Sequence, residues 1–107
     1  MKAYTDLEQS KKLAEILPLE SADMYLWSSG KRYYIEAMDD GDFNEEEGHV
    51  RAWSLAALYS VLPTFTLDSS DDNYFRIHCC NKFSEWYNNP IDATFEIILK
   101  LKEMNLL

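Results

Sequence analysis

The sequence predicts an α+β fold: an antiparallel sheet of about four to five strands packed against about three helices, in the order α-β-β-α-β-β-(β)-α. Three observations carry this. Residues 50–62 are apolar at helical spacing and are stopped by Pro63. Two aromatic-rich stretches, 23–28 and 32–38, adjoin a Ser-Ser-Gly-Lys turn, the signature of a hairpin. A periodic apolar stretch led by Asn89 and Pro90 closes the chain. Strands fall in adjacent runs and do not alternate strictly with helices, which favours antiparallel pairing. The 107 residues suit one domain spanning the whole chain. Such a length buries roughly two-thirds of the unfolded surface, enough for a core without disulfide or metal staples.

The first helix is predicted from a Thr5-x-x-Glu8 capping box, with Asp6 and Glu8 in its first turn and Lys11 and Lys12 further on. Leu13, Ile16 and Leu17 share an apolar face, and Pro18 ends the helix near Ile16. In the first strand Met24 and Leu26 alternate against Tyr25 and Trp27, so one face meets the core and the other is partly covered. A polar loop follows at 39–48. Seven acidic residues and no basic one fall between Glu36 and Glu47, and Asn44 is positioned to cap a first turn at Glu45–Glu47.

The stretch 50–62 reads as a buried central helix, too apolar around its circumference for the surface and too short to span a membrane. Val50, Trp53, Ala57, Leu58 and Val61 lie along one face, and Leu55, Tyr59 and Leu62 form another. Trp53 and Tyr59 are read as core. Beyond Pro63, strands are expected at 64–67 and 74–80, with a polar turn at 68–73 and a further strand at 82–87. In the second of these strands Phe75 and Ile77 oppose Tyr74, Arg76 and His78. Asn89 is the N-cap of a last helix reaching about Met104, with Ile91, Phe95 and Ile98 on one stripe.

Charge narrows the function. There are 19 acidic and 10 basic residues, a net charge of −9. This argues against direct nucleic-acid binding, which needs clustered Lys and Arg, and against an anionic membrane surface. It leaves simple solubility, a basic protein partner, or imitation of a nucleic acid's charge. The opening Met-Lys-Ala-Tyr-Thr-Asp has no apolar signal core, so a cytoplasmic setting is expected. Cys79 and Cys80 are adjacent, a spacing too tight for an easy disulfide, and reduced thiols fit that setting.

Few residue patterns point to catalysis. Asp40, Asp42 and Asn44 imitate the start of a calcium loop, but Glu45 stands where glycine is needed and Arg51 where a bidentate Glu is needed. His78, Cys79 and Cys80 lack zinc-ligand spacing, because neighbours on a strand point to opposite faces. No element marks either Cys as an activated nucleophile, and no glycine-rich phosphate loop is present. The sequence therefore calls for no cofactor, metal or catalytic residue. Aromatics are the remaining candidates, and an exposed patch of them is best read as a protein-contact surface.

Three stretches carry a resemblance: Tyr4 to Pro18 continuing through Glu20–Met24; Ala52–Leu58 with Val61-Leu-Pro63; and Pro90-Ile-Asp-Ala93 with the closing Leu99–Leu107. Together they resemble a family of small uncharacterised proteins from gut Bacteroides bacteria and their phages or mobile elements. The resemblance covers nearly half the chain and implies a bacterial cytoplasmic setting, with no activity, cofactor or site attached.

The leading reading is a non-enzymatic protein-interaction module, an accessory protein of a mobile element, acting as a monomer or weak homodimer. Its contact residues would be Asp39, Asp40, Asp42, Glu45 and Glu46 of the acidic loop with Tyr25 and Trp27 of the first strand. An acidic nucleic-acid mimic is the alternative, and would require carboxylates of 36–47 and 68–72 to share one surface. A small ligand binder or enzyme would require a pocket bounded by His49, His78, Cys79 or a carboxylate.

Overall fold

A computed structural model describes residues 2–38 and 42–107. Helix α1, Leu7–Ile16, starts later than the Thr5 capping box predicts. Asp6 is the N-cap: its carboxylate accepts the Gln9 N–H at 2.8 Å, while the Gln9 side chain accepts from the Asp6 N–H at 3.1 Å. Thr5 is occupied elsewhere. Its N–H donates to the Trp53 carbonyl, and its buried hydroxyl accepts the Trp53 N–H and pairs with Ser10. The chain at Thr5 is thus extended alongside residue 53, which delays the helix.

Strands β1, Met24–Ser29, and β2, Arg32–Ala37, form the predicted hairpin. Ser29 stands opposite Arg32, so the connection is the two-residue turn Gly30-Lys31, with Gly30 at a φ of +64° that an L-residue adopts only under strain.

The continuous helix over 50–62 does not form. Val50–Ala52 is a strand, β3, pairing antiparallel with the other edge of β1; helix α2 covers only Leu55–Val61. A short apolar run fits a helix and a strand equally well by periodicity, and pairing with β1 decides here. Between the two, Trp53 is fully buried and its indole N–H donates to Ser21 Oγ at 2.9 Å. Ser54 caps α2, accepting the Ala57 N–H at 3.2 Å, and Asp23 in turn accepts the Ser54 N–H at 2.9 Å. α2 is also less apolar in its surroundings than predicted, since Ala56 and Ser60 are exposed. Glu45–Glu47 is a separate 3-10 turn capped by Asn44 and ended by Gly48, and not the first turn of this helix.

Two small sheets replace the single one predicted. The first has the order β2-β1-β3. The second has the order β4-β5-β6, from β4 (Phe65–Ser69), β5 (Phe75–Cys79) and β6 (Lys82–Phe83). Just beyond β3 the N-terminal segment pairs with the chain, where Tyr4 bridges to Ser54 and the Thr5 N–H donates to the Trp53 carbonyl. The strand expected at 82–87 shortens to two residues. Ser84 Oγ accepts the Ile77 N–H and the Ser84 N–H donates to the Ile77 carbonyl, which diverts the chain until Tyr87 bridges back to Phe75.

Helix α3, Pro90–Glu103, follows its caps: Asn89 Oδ1 accepts the Asp92 N–H at 2.8 Å and Pro90 opens the first turn. It is the element the core is built on. Its Ile91 and Ile98 join Leu13, Trp53 and Leu58 in one apolar cluster. Its Ala93, Ile97 and Leu101 pack on Ile77 and Cys79 of β5 in another. One helix thus binds the α1–α2 half to the second sheet, and truncating Ile98 to Ala would cost about 2–5 kcal/mol. Among the described residues, no helix is long and apolar enough to cross a membrane.

Candidate functional site

The outer face of the first sheet carries Tyr25 and Trp27 from β1 and Glu36 from β2, since alternate strand residues share a face. The segment 42–49 folds over this face. Gly48, at φ +85°, reverses the chain after the 3-10 turn and delivers His49 and Phe43 onto Tyr25. His49 stacks on the Tyr25 ring with centroids 5.1 Å apart, and Phe43 meets it edge-on at 5.6 Å. An open concavity of about 650 Å³ lies beside them. Its aromatic walls are Tyr25, Trp27, Phe43 and His49, and its carboxylates are Glu36, Asp42 and Glu47. None of the described lining residues is a Lys or Arg.

His49 Nδ1 accepts the Asn44 N–H at 3.0 Å, so the proton of the neutral ring sits on Nε2, 3.7 Å from a Glu47 carboxylate oxygen. Arg51 sits outside the concavity: it is bonded to Glu45, and its guanidinium lies 4.5 Å from the centre of the Phe43 ring.

The candidate residues separate. Tyr25, Trp27 and Asp42 line the concavity together. Tyr25 is not the exposed contact residue the sequence suggests; it is only 3% accessible, because Phe43 and His49 cover it. Glu45 turns to Arg51, and Glu46 is exposed without lining the concavity. Asp39 and Asp40 lie outside the described residues. Phe43 was missed by sequence reasoning. The available signal was a lone aromatic between Asp42 and Asn44, which a polar loop retains when it packs back on the fold.

The comparisons add no relative. No protein-family model, curated protein or solved structure matches the chain.

The other sites weighed from sequence come apart. His78 faces away from α3 and stacks on Phe83 at 4.1 Å, whereas Cys79 is buried against the helix, so the two diverge as alternation requires. No group of three or more His, Cys, Asp or Glu among the described residues could hold a metal. Asp68 is engaged by Arg76 at 3.0 Å, and Arg76 is flanked by the Phe83 and Trp86 rings. Glu36 in β2 and Asp68 in β4 therefore belong to different sheets, and Asp68 is already neutralised by Arg76.

Proposed function

We propose that the chain is a non-enzymatic protein-interaction module that receives a Lys or Arg side chain of a basic partner in the concavity of the first sheet. One observation carries this: aromatic faces and carboxylates converge there, the combination that attracts a desolvated cation. Arg51 already lies over Phe43 in that manner from outside. The net charge of −9 supports attraction of a basic partner at longer range. An accessory role in a bacterial mobile element is the setting the family resemblance favours.

The test is a titration followed by NMR, using a Lys/Arg-rich peptide and its Glu-containing counterpart as probes. The basic peptide should shift the Trp27 indole and His49 ring resonances, and Glu36→Gln with Glu47→Gln should weaken binding about tenfold or more. Shifts scattered over the whole surface would reject the reading. Equal binding of free arginine amide would replace it with a small-ligand binder.

A further inference from the structure

We infer that β2 pairs with β2 of a second copy of this chain, in one register, to give a continuous six-stranded sheet. The inference rests on the strand edge, and Glu36, one of the concavity's carboxylates, takes part in it.

β2 has a free outer edge among the described residues: it pairs with β1 alone and most of its residues are exposed. It is the longest strand left open. β3 has three residues, with the Tyr4–Thr5 segment paired to Trp53 and Ser54 just beyond it, and β6 has two. β4 is also an edge, but it contains no basic residue and its Asp68 is held by Arg76. β2 carries no proline, and Tyr33 and Tyr34 on it are 51% and 41% accessible. Such an edge is a template for another strand.

Backbone directions fix which registers are open. Met38 N–H donates to the Asp23 carbonyl, which places residue 38 in a hydrogen-bonded position toward β1. Alternation then puts Glu36, Tyr34 and Arg32 in the same class, so Tyr33 and Ile35 aim their backbone N–H and C=O groups outward. A twofold antiparallel contact must therefore match outward groups of one copy with those of the other. Placing Tyr33 opposite Ile35 of the second copy does this at both ends. It sets Tyr34 opposite its own equivalent and Arg32 opposite Glu36 of the second copy, twice. All these are non-hydrogen-bonded pairs across the new edge, with Cα atoms about 4.5 Å apart and side chains on one face.

The charge match is specific to this register. Shifting by one allowed step in either direction aligns Tyr33 or Ile35 with itself and moves Arg32 away from Glu36. Neither Arg32 nor Glu36 is in an ion pair among the described residues, so both are available.

Sedimentation equilibrium from micromolar to millimolar chain at low salt tests this. The unaltered chain should show a monomer–dimer equilibrium. Arg32→Glu alone and Glu36→Arg alone should each be monomeric, because each places like charges opposite. An equimolar mixture of these two variants should recover the dimer, since the pairs become complementary again. Tyr33→Pro, which removes an outward N–H without touching the β1 ladder, should be folded and monomeric. A wild-type monomer throughout, a dimer persisting in both charge variants, or a mixture that stays monomeric overturns the inference.

Discussion

The ring of His49 lies nearly parallel to that of Tyr25, with 14° between their planes. This pair closes one wall of the concavity, and it depends on the reversal at Gly48. An added Cβ at Gly48 would meet no atom within 4 Å, so only the backbone opposes a side chain there. With φ at +85°, Gly48→Ala is expected to cost about 1–2 kcal/mol. Urea unfolding followed by Trp fluorescence measures the cost, and the His49 ring protons should lose the upfield displacement that stacking on Tyr25 produces. An unchanged midpoint would show that the reversal tolerates a side chain.

The parts of the fold legible in the sequence are those with local chemistry. The Gly30 turn, the Asn89 cap with Pro90, and the alternation about Ile77 all sit where nearest neighbours dictate. The break at residue 53 was not legible, because Val50, Trp53 and Ala57 satisfy helical spacing as well as Val50 and Ala52 satisfy pairing with β1. What decides it lies 20-odd residues away in β1, and in Thr5, which satisfies the Trp53 backbone. Half of the candidate site was legible for the same reason. Tyr25 and Trp27 share a strand face by simple alternation, whereas His49 and Phe43 reach them only through the Gly48 reversal.

Cys79 and Cys80 are expected to react very differently despite being neighbours. Their sulfurs are 3.7 Å apart, Cys79 is buried and Cys80 is exposed in the turn into β6. Burial first, and the adjacent Cys80 next, push the Cys79 thiol up to about 11. Near neutral pH a chromogenic disulfide reagent should therefore consume one thiol per native chain promptly, and the second only after denaturation. Cys80→Ser should remove the prompt phase. Two equally fast thiols would show that β5 opens readily at this end.

Acid should loosen the junction between α1 and α3. Lys2 Nζ donates to Asp6 at 2.9 Å and to Asp92 at 2.8 Å, and Gln9 and Asn89 also donate to Asp92. Burial acts to raise the Asp92 carboxyl, but the hydrogen bonds from Lys2, Asn89 and Gln9 outweigh it and hold it below its ordinary value. Asp6 is lowered likewise, with burial again opposed by the Gln9 N–H and Lys2. A carboxyl lowered by folding stabilises the native state above its unfolded value, near 3.8, and that contribution is lost as pH falls through the folded value. Stability should therefore hold from neutral pH down to about 5 and decline below about 4. Lys2 is raised, so its own contribution is fully present below 10.5 and fades only at higher pH. Lys2→Met should cost about 0.5–1 kcal/mol near neutral pH, at the upper end for partly exposed ion pairs. It should also shrink the acid-dependent loss, because Asp92 then returns toward its ordinary value. Urea midpoints measured across this pH range for both chains decide the matter: parallel curves would mean that Lys2 does not set the carboxylates' titration.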